Sequence, residues 1–73
     1  MDAKSCVIFL KAAETGSITK AALALGYTQA GVSLVVRKLE EECGLHLLIR
    51  AKHGVRLTEA GARLLHVTRE IAR

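Results

Sequence analysis

Three polar side chains, Gln29, Ser33 and Arg37, recur at intervals of four residues in the stretch YTQAGVSLVVRKLEEECG. In an α-helix this spacing places them on one face, with Ala30 and Leu34 beside them. Gln can pair its amide with adenine, Ser can hydrogen-bond several bases, and Arg can reach guanine or a phosphate, while a Leu can contact a thymine methyl. Such a face could read duplex DNA, although an ordinary solvated helix can show the same residues.

The rest of this stretch predicts how the helix is oriented. Its opposite face is apolar and should pack on a core, with Val32, Val35, Val36, Leu39 and Cys43. Thr28 can cap its amino end, whose unpaired N–H groups and positive dipole suit phosphate. The run 40–42 is three glutamates, which DNA would repel. Only the first two turns should therefore contact nucleic acid, amino end first.

Glycine divides the preceding chain, which has no proline. The segment 3–15 has a helical period, and its predicted buried face comprises Cys6, Phe9, Leu10 and Ala13. Gly16 should end it, and Ser17 should cap a short second helix with a face formed by Ala21, Ala22 and Leu25. Gly26 follows. Two short helices joined by a few residues that include glycine predict a helix-turn-helix.

The pattern changes after Gly44. Leu45, Leu47 and Ile49 alternate with His46 and Leu48, and a turn at 51–54 separates them from a second short run at 55–57. This predicts a small β-hairpin. Thr58 should then cap a last helix, 58–73, with an apolar stripe formed by Leu64, Leu65, Thr68, Ile71 and Ala72. The order of elements predicts a mainly α winged helix-turn-helix.

The hairpin turn predicts a second contact with nucleic acid. Lys52 and His53 occupy the turn, and Arg50 and Arg56 flank it. A basic hairpin beside a recognition helix is suited to contact the minor groove or the DNA backbone.

Composition and residue spacing exclude several classes of function. The 73 residues carry a net charge of +4, which fits an anionic partner, and only two aromatic residues, which argues against single-stranded nucleic acid. Cys6 and Cys43 lack metal-site spacing and are predicted to be reduced core thiols of a cytoplasmic protein, a disulfide being the alternative. The three histidines do not have metal-ligand spacing, and no nucleophile–base pair is evident. We therefore expect no enzyme, no cofactor and no membrane association.

Five motifs together resemble one protein family. They are FLKAAETGSITKAALAL at 9–25, TQAGVS at 28–33, KLE at 38–40, GLHLLIR at 44–50 and GVRLTEAG at 54–61. In order and spacing they resemble the amino-terminal domain of LysR-type transcriptional regulators. The resemblance implies a bacterial transcription factor whose winged domain binds promoter DNA as a dimer. It also implies a final helix that continues as a linker and an effector-binding domain that follows.

Residue roles also follow from this resemblance. It implies that Gln29 and Ser33 face the groove and that Thr28 lies at the helix amino end. It places three residues near phosphates, Ser17, Thr19 and Lys20, and two on the wing, Lys52 and His53. Arg50 either pairs with Glu40, which would fix the wing to the third helix, or contacts DNA. Two departures are Ala30-Gly31, where the family often has proline then alanine, and Leu48, where it usually has phenylalanine.

The resemblance divides the chain into a DNA-binding unit, 1–57, and the start of a linker or dimerisation helix, 58–73, without the effector domain. We expect a homodimer through the last helix, although its apolar stripe could instead pack only on its own domain. The alternative function is a protein-interaction module on a winged-helix scaffold. The basic wing and the uncharged groove face favour DNA.

Overall fold

The computed structural model describes residues 2–72, with the side chains of residues 2–70. The chain forms α1 Ala3–Thr15, α2 Ile18–Leu25, α3 Gln29–Cys43, β1 Leu48–Ala51, β2 Gly54–Leu57 and α4 Glu59–Ala72. The two strands form an antiparallel hairpin, hereafter the wing, in which Leu48 is paired with Leu57 and Ala51 with Gly54. This architecture confirms the predicted winged helix-turn-helix.

The helix starts follow the predicted capping residues. Ser17 Oγ accepts a hydrogen bond from the Lys20 N–H at 3.1 Å, and Thr28 Oγ1 accepts one from the Gly31 N–H at 3.0 Å. Each bond satisfies a backbone donor that the first helical turn leaves free. Thr28 and Gly31 together therefore begin α3 at Gln29.

Two apolar clusters hold the helices together. The first joins α1, α2 and α3 and comprises Ile8, Ala12, Ala21, Ala22, Val32 and Val36. The second places Phe9 of α1 against Leu39 of α3 and Leu47, which precedes the wing. Alanines in the first cluster let the helices approach closely. The two clusters together fix α2 and α3 at a constant angle to each other and to the wing.

The predicted face of α1 needs a correction. Cys6 and Phe9 are buried as predicted, but Leu10 and Ala13 are only partly buried, and Ile8 and Ala12 are buried instead. α1 contacts α2, α3 and α4, so its buried surface is wider than the single stripe that a helical period assumes.

The cysteine prediction was half wrong. Cys6 is a buried free thiol, whereas Cys43 is a free thiol that is exposed in the last turn of α3. The apolar face of α3 ends one turn earlier, at Leu39, because the chain turns away at Gly44.

The predicted alternation of the first wing strand was also wrong. Leu47 is buried, but Leu45 and Ile49 are exposed, and Leu48 packs against both apolar clusters. The strand begins only at Leu48, so the period of two does not extend back through Leu45. Leu48 thus connects the wing to the helical core.

Within its own domain, α4 uses much of the predicted stripe. Leu64 and Leu65 pack against the second cluster, and Thr68 is fully buried. The side chains of Ile71 and Ala72, and all of Arg73, lie outside the described residues. Val67 is 49% exposed on the same helix. None of the helices in the described chain is long and apolar enough to cross a bilayer.

Candidate nucleic-acid interface

A cleft of about 280 Å³ opens between the first turns of α2, the amino-terminal part of α3 and the wing. Six residues predicted to bind DNA line it: Ser17, Thr19, Gln29, Ser33, Arg37 and Arg50. They come from the start of α2, from α3 and from β1. The fold therefore brings the predicted groove-facing and phosphate-facing residues to one concave surface.

The other six predicted residues are exposed but do not line the cleft. Lys20 lies on α2, Thr28 and Ala30 at the start of α3, Leu34 one turn further along, and Lys52 and His53 at the wing turn. Leu34 is 48% exposed. The structure therefore leaves all six accessible to a partner without bringing them into the cleft.

Two helix amino ends lie at the cleft. Ser17 caps α2 and itself lines the cleft, and Gln29, the first residue of α3, lines it as well. A helix amino end carries partial positive charge and free N–H donors. The cleft is therefore suited to bind an anion such as a phosphate of a nucleic-acid backbone.

Cationic side chains add to the positive electrostatic potential at the cleft. Arg37 and Arg50 line the cleft from α3 and β1, and Lys52 and Arg56 are exposed on the wing beyond it. The glutamates Glu41 and Glu42 are exposed at the far end of α3. Positive charge thus lies on the middle of α3 and on the wing, and negative charge lies at the carboxyl end of α3, whereas the first two turns of the helix carry no charged side chain.

The wing is joined to the turn between α1 and α2. The Val55 N–H donates a hydrogen bond to the Gly16 carbonyl oxygen at 2.9 Å. Gly54 has φ 148°, and a Cβ at this position would overlap the same carbonyl oxygen. Only glycine allows this close backbone approach, which holds the wing beside Ser17.

Glu40 joins the wing to α3. Its Oε2 atom accepts hydrogen bonds from the Leu47 N–H at 2.7 Å and the Leu48 N–H at 3.3 Å, and lies 3.7 Å from His46 Nδ1. The predicted pair between Glu40 and Arg50 is therefore wrong: within residues 2–70, the Glu40 carboxylate binds backbone instead of the arginine. Arg50 is exposed and lines the cleft.

Sequence reasoning linked Glu40 to the wing through the wrong partner, because it missed the bonds from Glu40 to the Leu47 and Leu48 amides, and it also missed the Gly16–Val55 bond. A signal for the first was available, because Glu40 ends the KLE motif at helical spacing from Ser33 and Arg37, on the polar face of α3. The second joins residues 39 positions apart, and nothing in the local pattern indicates it.

Three helices, a wing and a fourth helix, with a cleft between α2, α3 and the wing that Arg37 and Arg50 line, define the class of winged helix-turn-helix DNA-binding domains. Residues 4–62 match the family described as "Bacterial regulatory helix-turn-helix protein, lysR family". The chain belongs to this family, which confirms the resemblance drawn from its motifs.

Individual relatives support this family assignment. The chain is 39% identical over 71 residues to the HTH-type transcriptional regulator YofA of Bacillus subtilis, covering 97% of this chain and 25% of that protein. It is 40% identical over 67 residues to TdcA of Escherichia coli K12, covering 92% and 22%. The chain thus spans about a quarter of the length of the curated relatives it matches.

Solved structures with the same fold include complexes with DNA. The crystal structure of a CbnR_DBD–DNA complex superposes with a TM-score of 0.94 at 32% identity, covering 99% of this chain and 83% of that one. A complex of BenM_DBD with catB site 1 DNA gives a TM-score of 0.93 at 30% identity, covering 99% and 80%.

Proposed function

We propose that this chain binds double-stranded DNA in a sequence-specific manner as part of a transcriptional regulator. The amino-terminal turns of α3 enter the major groove, and the wing contacts the backbone or the minor groove. The observation that carries the proposal is the single cleft that Gln29, Ser33 and Arg37 share with Ser17 and Arg50.

Each part of the surface has a distinct task in this proposal. Gln29 and Ser33 contact base edges, and Ala30 and Leu34 provide apolar contacts beside them. The amino end of α2 and the basic side chains contact phosphates, which sets the register of α3 on the duplex. The candidates for phosphate contact are Thr19, Lys20, Thr28, Arg37, Arg50, Lys52, His53 and Arg56.

The proposal extends to the organisation of the protein. Residues 1–57 form the DNA-binding unit, and 58–73 begin a linker helix through which two copies associate. Exposed Val67 supports self-association through α4, whereas Leu64 and Leu65 are used inside the domain. The protein acts in the cytoplasm, performs no catalytic step and uses no cofactor in this domain.

Salt dependence tests the proposal. Selection of bound duplexes from a random pool supplies the site, and a dyad in the selected sequence is expected if two copies bind. With four to five phosphates neutralised per domain, affinity should fall roughly several hundredfold between 50 and 200 mM salt. Fluorescence anisotropy with the selected duplex measures this.

Matched charge variants identify the surface that is responsible. Lys52→Glu and Arg37→Glu should both weaken binding, whereas Lys38→Glu makes the same change as Lys52→Glu at an exposed position outside the cleft lining and should weaken it much less. Binding that is insensitive to salt, or unaffected by the first two variants, would instead favour a protein-interaction module.

A further inference from the structure

A carboxylate lies where the proposed function needs positive charge. Glu40 lines the same cleft as Arg37 and Arg50, and its side chain is 20% exposed. A negative charge near the path of a phosphate backbone weakens DNA binding. Removing Glu40 should therefore improve DNA binding unless the same side chain also makes a favourable contribution to that binding.

The contacts of Glu40 show what that contribution is. Its Oε2 atom accepts from the N–H groups of Leu47 and Leu48, which are the last residue before β1 and the first residue in it. Leu47 is also buried against Phe9 and Leu39. A residue of the recognition helix thus holds the backbone at the entrance to the wing.

The same backbone is held from its other side by Thr58. The Thr58 N–H donates to the Leu47 carbonyl at 3.0 Å, and Thr58 Oγ1 donates to the His46 carbonyl at 2.6 Å. Because Thr58 follows β2, both ends of the wing are tied at residues 46–48. Among the described residues 2–70, the Glu40 bonds connect this point to the polar face of α3.

We propose that Glu40 is a positioning residue for DNA binding: its carboxylate fixes the wing relative to α3, so that Arg50 and Lys52 meet the duplex that Gln29 reads. This inference rests on the proposed function. It predicts that removing the Glu40 carboxylate weakens DNA binding, whereas the loss of a negative charge alone would strengthen it.

The primary test compares Glu40→Ala with Glu41→Ala on the selected duplex. Glu41 is the next residue, is exposed, and carries the same charge without the backbone bonds. Glu41→Ala should bind as tightly as the unchanged protein or tighter. Glu40→Ala should bind about tenfold more weakly, because displaced wing cations no longer neutralise one or two phosphates. Equal or tighter binding by Glu40→Ala would overturn the inference.

Salt dependence separates positioning from a general loss of folding. In Glu40→Ala the slope of log affinity against log salt should become shallower by about one to two, since each lost phosphate contact removes about 0.9. Lys52→Ala should weaken binding much less in the Glu40→Ala background than alone. An unchanged slope, with an unchanged effect of Lys52→Ala, would show that Glu40 only stabilises the fold, and it would contradict the proposal.

Glu40→Gln keeps the test decisive if the alanine variant does not fold. Its amide oxygen can still accept from the Leu47 N–H, so affinity should stay within about twofold of the unchanged protein. A gain in affinity well above about twofold for Glu40→Gln would show that the carboxylate acts only by repulsion and would overturn the proposal.

Hydrogen exchange of the Leu47 and Leu48 amides gives a readout without DNA. Both should exchange faster in Glu40→Gln than in Glu41→Gln. If the unchanged protein binds no duplex, the proposed function fails. If it binds, and neither the exchange of these amides nor the affinities of the two alanine variants distinguish position 40 from position 41, only the positioning role fails.

Discussion

Gly54→Ala is expected to destabilise the domain by about 3 kcal/mol or more, combining strain at positive φ with overlap against backbone. The added Cβ would overlap the Gly16 carbonyl oxygen, which also accepts the Val55 N–H. A carbonyl in a helix-connecting turn cannot move away as a flexible side chain could. The wing must therefore separate from the α1–α2 turn, or the domain must unfold.

Gly26→Ala provides the matched control. Gly26 also has positive φ, at 75°, but nothing lies within 4 Å of a Cβ built there. Its substitution should cost only the left-handed strain of about 1–2 kcal/mol. Urea unfolding of both variants measures the difference, and equal losses would contradict the close approach at Gly54. DNA binding should also fall further for Gly54→Ala than for Gly26→Ala, since the wing borders the cleft.

Gln29→Ala is expected to remove about 1–3 kcal/mol of discrimination at one base pair, or about 5- to 150-fold in relative affinity. Gln29 is exposed at the first position of α3 and lines the cleft beside Ser33. Its amide can reach a base edge while the helix amino end faces the backbone. The loss should appear on the selected duplex and disappear on a duplex substituted at that pair.

Lys52→Ala is the control for this experiment. A lysine at the wing turn should contact phosphate, so its loss should weaken binding to all duplexes by a similar factor and reduce the salt slope by about 1. Competition titrations with single-pair variants of the selected duplex separate the two patterns. A uniform loss for Gln29→Ala would show that Gln29 does not read bases.

Local sequence signals predicted the helices and the hairpin. Ser17, Thr28 and Thr58 are short-range capping residues, and each caps the helix that was predicted. The four-residue spacing of Gln29, Ser33 and Arg37 requires only that α3 be helical. These features are set within a few residues along the chain, so the sequence alone suffices for them.

Packing between distant segments decided what the sequence left undetermined. Cys43 is apolar enough for a core, but Gly44 turns the chain before it can pack. Ile8 and Ala12 are buried because α1 has three neighbouring helices. The Glu40 carboxylate binds the Leu47 and Leu48 amides, and not the arginine with which pairing was predicted. None of these outcomes follows from periodicity within one segment.

The most direct test of the DNA-binding surface is a titration of isotope-labelled protein with the selected duplex, followed by amide chemical shifts. The largest changes should fall at residues 17–20, 28–37 and 50–53. The far end of α3 around Glu41 and Gly44, and the exposed side of α1 around Val7, should change little. Changes concentrated at Val7, Val67 or Glu41, with the cleft unaffected, would contradict the assignment of the cleft as the DNA-binding surface.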